Sequence, residues 1–380
     1  MNLKNYNSPK ERRLALEKEL KMSLPHIGHY SLDDNKASTR HCENMIGATQ
    51  IPLGVAGPLL LQPTTYKLKP KNYFIPLATT EGALVASVNR GCKAITESGG
   101  AEVIEEYVGA TRGPVFKTSG IKESYQFKNW LDNNFGSLAK VAHSTSSHLT
   151  LKKIGTRMVG NYAYVRFYFD TGEAMGMNMV TIATTAIVKL IEQKSQVRCI
   201  SIAGNFDIDK KPAWLNFIEG KGRRVWAQSI IKKEVIEKVL KTQAQKIHEV
   251  WLAKNMLGSI MSGSLGFNAH FANIIAALFL ATGQDIAHTV EGSIGITTTE
   301  VIERDNLYIS IYVPDLMVGT IGGGTGLATQ KEALSILKID GSSEFAKVVG
   351  AAVLAGELSL LSSLAEGSLA RAHQKLGRGK

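Results

Sequence analysis

The chain has 380 residues, 44% hydrophobic and 20% charged, an ordinary globular balance with room for two or three domains. Lys and Arg number 44 against 33 Asp and Glu, giving a formal charge of +11. The basic residues are scattered, with no long run and no aromatic interleaving, which argues against nucleic acid and for an anionic small molecule such as a nucleotide or coenzyme A. Cys42, Cys92 and Cys199 form no CxxC pair, which argues against a disulfide framework or a zinc site and for a reducing compartment. The N-terminal stretch is polar and lacks a signal-type apolar core, and the most apolar stretches, 273–283 and 348–356, are too short to cross a bilayer. A soluble protein is expected.

Residues 10–22 read as a charged helix. The segments HCENMIG (41–47) and IPLGVAGPL (51–59) are punctuated by Gly and Pro and read as fixed irregular backbone. In PLATTEGALVAS (76–87), Thr79 or Thr80 is the expected cap of a helix. Glu81 would fall in its first turn, where the dipole favours the anion, while apolar surroundings favour the neutral, proton-donating form. Ser87, Asn89, Arg90 and Lys93 further along make a polar, basic strip suited to phosphate.

Thr111-Arg112-Gly113-Pro114 marks a boundary. After it come a strand at 114–117, a helix at 122–135, strands at 147–157 and 161–170, a helix at 174–192 and a strand at 197–202. Val165, Phe167 and Phe169 alternate with Tyr164, Arg166 and Tyr168, the period of a half-buried strand. The order is βαββαβ, that of ferredoxin-like domains. At the head of its second helix, TGEAMGMNM (171–179) offers two glycines and free backbone amides to a dinucleotide.

SIAGNFDIDKKPA (201–213) is the stretch on which the chemistry turns. Its loop carries Lys210 and Lys211, with Pro212 keeping Lys211 extended. Two ammonium groups on one loop can hold a carboxylate and a developing oxyanion. An isolated DxKK is ordinarily a solvated turn; its weight here comes from the motifs around it. Residues 232–257 read as a second charged helix. GSLGFNAHFAN (263–273) and GQDIAH (283–288) are joined by an apolar helix. Asp285 ends that buried segment and needs a partner, for which Lys210 is the candidate. VGTIGGGTG (318–326) matches neither a Rossmann fingerprint nor a P-loop, yet a loop so bare admits a ligand close to its backbone. Residues 344–376 read as one helix rich in small residues, with His373 and Arg378 on a basic end where His373 could act as an acid on a closing flap.

Together ENMIG, PLGVAGPL, TTEGALVAS, NRGCKA, TRGPV, GEAMGMNM, DKKPAWLNFIEGKG, GFNAHFAN, GQDIAH, GTIGGGT and AHQKLGR, in this order, closely resemble the 3-hydroxy-3-methylglutaryl-CoA reductase family from about Glu43 to Arg378. The resemblance implies an α+β fold: an N-terminal helical segment (1–42), a large CoA- and substrate-binding domain (43–113 and 202–380), and an inserted ferredoxin-like NAD(P)-binding domain (114–201). It implies four-electron reduction of the thioester to mevalonate by two NADPH, with NADH possible, and release of coenzyme A. It also implies a cytoplasmic homodimer with sites across the interface, and no metal. The alternatives are the same chemistry run oxidatively on mevalonate or, more remotely, a non-catalytic CoA- or nucleic-acid-binding protein.

By position the resemblance makes Lys210 the oxyanion stabiliser, Glu81 the acid, Asp285 the linking carboxylate and His373 the donor to the departing thiolate. Arg112, Lys211 and Asn273 would hold the acid end of the substrate, and Ser87, Asn89, Arg90 and Lys93 the CoA. Ser146, Ser147, Glu173, Met175, Gly176, Met177, Asn178, Gly322, Gly323 and Arg378 would contact the cofactor. The chain departs from the family where a Ser-Arg pair grips the NADP 2′-phosphate: Ser146-Ser147 stands there without arginine, leaving Lys152, Lys153 or Arg378 to replace it. Glu173 replaces the usual Asp, Ala203 a common serine, and Gly379 follows Arg378 where some members carry a phosphorylated serine.

Overall fold

Two separate hydrophobic cores organise the computed structural model, which describes residues 3–63 and 69–367. The larger core is built around the helix Ser342–Glu366. Its small residues let neighbours approach closely: a Cβ on Gly91 of the helix Leu84–Glu97 would lie 1.9 Å from the Ala355 carbonyl oxygen. By length and composition Ser342–Glu366 could cross a bilayer, because the helix extends beyond the 348–356 stretch at both ends. However, 83% of its apolar window is buried inside the protein, as befits a core helix. It ends at Glu366, where Gly367 turns left-handed (φ 74°), rather than running to 376.

The large sheet packs on this helix. Strands β1 (Leu53–Gln62) and β2 (Lys71–Ala78) form an antiparallel pair, and β1 ends beside β3 (Ala101–Arg112). The residues expected to be irregular around Gly57 and Pro58 lie within β1, at a bulge between Ala56 and Leu59, where the ladder tolerates both. The small sheet uses β4 (Val115–Lys117), β5 (Thr150–Val159), β6 (Tyr162–Asp170) and β7 (Arg198–Ser201) in the order β7-β4-β6-β5, every neighbouring pair antiparallel. The large sheet continues from β3 through β8 (Lys221–Ile231), β11 (Asn306–Leu316), β10 (Gly295–Ile302) and the short β9 (Gly266–Phe267).

Three expectations are corrected. The first crossover of the small unit holds two helices, Ile121–Asn133 and Phe135–Thr145, separated at Asn134. Strand β6 is covered on both faces: Val165, Phe167 and Phe169 enter the small core, while Arg166 on the other face donates to Asn216 Oδ1 and the Gly220 carbonyl. Residues 232–257 are not one helix; the chain turns left-handed at Lys241 (φ 58°) and restarts at Ala244, which lets Ile236, Leu240 and Ile247 all reach the core.

Strand β3 belongs to both sheets. Residues 102–109 pair with β8, and Ala110–Arg112 pair with β6. The chain leaves the large unit through Gly113 and returns through Gly204, and the two crossings lie side by side. Gly204 N donates to the Gly113 carbonyl at 2.6 Å, and Thr111 Oγ1 donates to the Asp207 carbonyl at 2.8 Å. A Cβ on Gly113 would stand 2.4 Å from Asp207 N, so only glycine permits this contact.

Candidate active site

The loop after β7 has backbone that its sequence would not choose freely. Asn205, Ile208 and Lys210 all have positive φ (62°, 49° and 56°). For β-branched Ile208 this costs on the order of 1–3 kcal/mol, so something must hold it. Asn216 Nδ2 and Lys221 Nζ donate to the Ile208 carbonyl at 3.2 and 3.1 Å, and Glu291 Oε1 accepts from Lys210 N at 2.6 Å. Lys221 is fully buried, with Glu291 Oε1 at 2.7 Å and Asp209 Oδ1 at 3.2 Å. Burial opposes its charge, but Asp315, Glu291 and Asp209 outweigh it and hold the ammonium pKa above the ordinary lysine value. Asp315, buried beside Glu291, is pushed well above the carboxylate range and donor-stabilised by Asn216 Nδ2 at 2.6 Å.

This buried scaffold presents the Lys210 ammonium 2.7 Å from Asp285 Oδ2. The Lys210 side chain is 40% exposed, so the charge remains open to a ligand. Asp285 caps the short turn Ile286–His288, its Oδ1 accepting from Ala287 N at 3.1 Å. Burial raises its carboxyl, but the Lys210 hydrogen bond, the Ala287 N–H and the nearby His288 outweigh it and leave the pKa below the usual range. Behind Asp285, the buried His288 places Nδ1 2.5 Å from Glu291 Oε2.

Glu81 does not sit in a helix's first turn. It lies on an exposed turn ahead of Leu84–Glu97, because Ala83 takes the left-handed cap position (φ 76°) and Thr79 Oγ1 accepts from Glu81 N instead of capping the helix. Asn273 Nδ2, on the helix Phe271–Thr282, donates to Glu81 Oε2 at 2.7 Å. The two line a cavity of about 400 Å³ that also reaches Leu84, Thr289 and Ile286, the residue that follows Asp285 in the chain. Arg112 is held by Asp207 Oδ2 at 3.0 Å and donates to Thr181 Oγ1 at 2.8 Å, and Lys211 donates to the Asp209 carbonyl at 3.0 Å.

The family model described as hydroxymethylglutaryl-coenzyme A reductase matches residues 8–378. The chain belongs to that family. It is 49% identical to 3-hydroxy-3-methylglutaryl-coenzyme A reductase of Methanothermobacter thermautotrophicus, covering 97% of this chain and 93% of that protein. It is 50% identical to the protein of the same name from Methanocaldococcus jannaschii, over 97% and 92%. The fold is similar to that of the NADPH-bound class II 3-hydroxy-3-methylglutaryl-CoA reductase from Streptococcus pneumoniae, with a TM-score of 0.71 at 18% identity over 95% of this chain and 98% of that one. Hydroxymethylglutaryl-CoA reductases are oxidoreductases, and this chain is an enzyme of that class.

Other residues singled out through the family resemblance are placed as follows. Ser87 donates to Ser359 Oγ at 3.0 Å, and Arg90 donates to the Ser359 carbonyl at 2.6 Å and to Ser363 Oγ. Both therefore face the long core helix, whose hydroxyls draw them in, instead of forming one strip with Lys93. Asn89 Oδ1 accepts from Gly57 N at 2.9 Å, and Lys93 is exposed 3.8 Å from Glu97. The two glycine segments meet: Thr320 N donates to the Glu173 carbonyl at 2.9 Å, Ala174 bridges Ile321, and a Cβ on Gly319 would lie 2.4 Å from Met175 N. Gly176 (φ 87°) then starts the helix Met177–Ser195, with Asn178 exposed in its first turn. Glu173 Oε2 accepts from Ser342 N and Thr320 Oγ1 and so ties this junction to the core helix. Gly322 and Gly323 (φ 79° and 53°) leave open space where side chains would be. Ser146 ends the helix Phe135–Thr145 and accepts from His148 N, and Ser147 is exposed. His373 and Arg378 lie outside the described residues.

Sequence reasoning missed the scaffold beneath the lysine: Asp207, Asp209, Lys221, His288, Glu291 and Asp315. Its one signal was charge inside apolar or glycine-rich runs, as in VPDLMV, TVEGSIG and EGKGRRV. Asp209, His288 and Glu291 stand close enough to ligate a metal ion, but Lys221 Nζ already bonds two of the three, so an ammonium fills that position.

Proposed function

We propose that this chain reduces (S)-3-hydroxy-3-methylglutaryl-CoA to mevalonate and coenzyme A with two NADPH, feeding isoprenoid synthesis, as a cytoplasmic homodimer. The observation that carries the reading is the Lys210–Asp285 pair at 2.7 Å, presented by a strained loop beside the cavity of Glu81 and Asn273. Reduction of a thioester carbonyl places negative charge on its oxygen, and a fixed ammonium stabilises that charge better than reorganising water does. Lys210 takes this role, and Asp285 keeps it charged and oriented. Glu81, steered by Asn273, protonates the oxygen. His373 protonates the leaving thiolate. Arg112 and Lys211 hold the substrate's carboxylate end, and the outward-facing Lys93 and Asn89 the CoA arm.

Nicotinamide, when bound, supplies the hydride of each reduction. The paired turns at 173–178 and 319–323 would hold such a ring: Ala174 bridges Ile321, Gly319 packs on Met175, and the bare backbone of Gly322 and Gly323 follows, with Gly176, Met177 and Asn178 at the facing helix start. Residues 114–201 are the cofactor-binding domain in this reading, with Ser146 and Ser147 toward the 2′-phosphate and Arg378 completing the site. The test is turnover of 3-hydroxy-3-methylglutaryl-CoA with NADPH and with NADH. Product with NADPH at equal or higher kcat/KM supports the proposal. A preference for NADH above about tenfold, some 1.4 kcal/mol in the transition state, overturns the cofactor assignment, and no thioester-dependent oxidation of either overturns the function.

A further inference from the structure

The imidazole of His288 is fully buried and both of its nitrogens face carboxylates. Nδ1 lies 2.5 Å from Glu291 Oε2. Nε2 has no hydrogen-bond partner and looks toward Asp285 Oδ2 at 3.8 Å and Asp209 Oδ1 at 3.9 Å. Glu291 Oε1 already accepts from Lys210 N and Lys221 Nζ, the pattern of an ionised carboxylate. Nδ1 must then carry a proton to meet Oε2. A bare lone pair on the buried Nε2 would face two carboxylate oxygens, which Lys210 and Lys221 already hold, and would itself meet no donor. A second proton on Nε2 turns that repulsion into attraction. The titratable groups around the ring are Asp285 and Glu291 on its own segment, Asp209 and Lys210 on the loop, Lys221 on β8, and, behind Lys221 on β11, Asp315, whose burial favours its neutral form.

We infer that His288 is a buried imidazolium, clamped by Glu291, that acts through Asp285 as a positioning residue and keeps that carboxylate ionised beside Lys210. The inference rests on the reductase reading for its link to turnover, but not for the charge on the ring. Removing the cation should let Asp285 hold its proton to higher pH, so that the Lys210–Asp285 pair fails earlier on acidification.

Three measurements test it. Nitrogen-15 NMR of histidine-labelled protein at pH 7 should show both His288 nitrogens protonated, and a neutral ring overturns the inference. Carbon-13 titration of labelled aspartate should show the Asp285 midpoint rising in His288→Gln, and an unmoved midpoint overturns it. In the same variant, kcat at pH 5 relative to its optimum should fall by about threefold or more against the full-length wild type, with KM for the thioester within about twofold. A superimposable pH profile overturns the link to the reaction. If the wild type turns over no thioester, the reductase reading fails while the two NMR arms still decide the charge. If His288→Gln does not fold, the nitrogen measurement on the wild type decides.

Discussion

Replacing Lys221 by methionine tests the scaffold beneath the site. The substitution keeps length and apolar stem but removes an ammonium with no solvent exposure, bonded to Glu291 at 2.7 Å, Asp209 at 3.2 Å and the Ile208 carbonyl at 3.1 Å. Glu291 is itself fully buried, so its charge would keep only the Lys210 N–H and the His288 ring and would face Asp315 without its ammonium. Removing one partner of such a pair costs about 3–5 kcal/mol, against a total stability of about 5–15 kcal/mol for a folded protein. The carbonyl of strained Ile208 also loses its anchor, so Lys210 should wander and kcat should fall as well. Urea unfolding at pH 7 and steady-state kinetics on the same preparation measure both. Adding Glu291→Gln to Lys221→Met should recover part of the stability by deleting the buried charge that has lost its ammonium. Overlapping unfolding curves, within about 1 kcal/mol, together with unchanged kcat would refute the reasoning.

Lys210→Ala should lower kcat by about 100–1,000-fold, the usual size of a lost oxyanion contact, with KM for the thioester little changed; near-normal turnover would remove Lys210 from its role. Asp285 is held below the usual carboxylate range, so its contribution to stability is present above about pH 4 and is lost as pH falls through its lower folded value. Asp285→Asn should therefore be less stable than wild type at pH 7 and converge with it on acidification, and a gap independent of pH would contradict this. Gly91→Ala puts a methyl 1.9 Å from the Ala355 carbonyl. Overpacking of about 1–3 kcal/mol should outweigh the roughly 1 kcal/mol gain in helix propensity, and a higher melting temperature would show otherwise. His373→Gln should slow thioester reduction but spare reduction of free mevaldehyde, which releases no thiolate; equal losses would argue against a role as thiolate acid.

How much of this was legible in the chain depends on what kind of signal each part leaves. The strands around Gly160 were read from alternation, since Val165, Phe167 and Phe169 repeat every second residue. The covering of β6 on its other face was not, because Arg166 and Tyr168 look solvent-facing until Asn216, Gly220 and Glu219 are brought over them. Strand β1 was hidden by Gly57 and Pro58, which punctuate equally well as a loop or as a bulge. The meeting of Lys210 and Asp285 followed from chemistry: a carboxylate ending an apolar segment needs a cation, and one loop offered it. Glu291 and Lys221 gave no such lead, because a charge buried against another charge across 70 residues has no period and no local motif.

The side-by-side passage of the chain at Gly113 and Gly204 fixes where movement can occur. Any swing of the small unit must pivot at that pair of strands, the only joint through which the backbone enters and leaves it. Lys210 lies close to the pivot in sequence and is moored by Glu291 and Asp285 to the stationary side, so its lever arm is short. On the proposed reductase reading, a spent hydride carrier would be swapped for a fresh one between the two reductions while the cation stayed beside the half-reduced carbon.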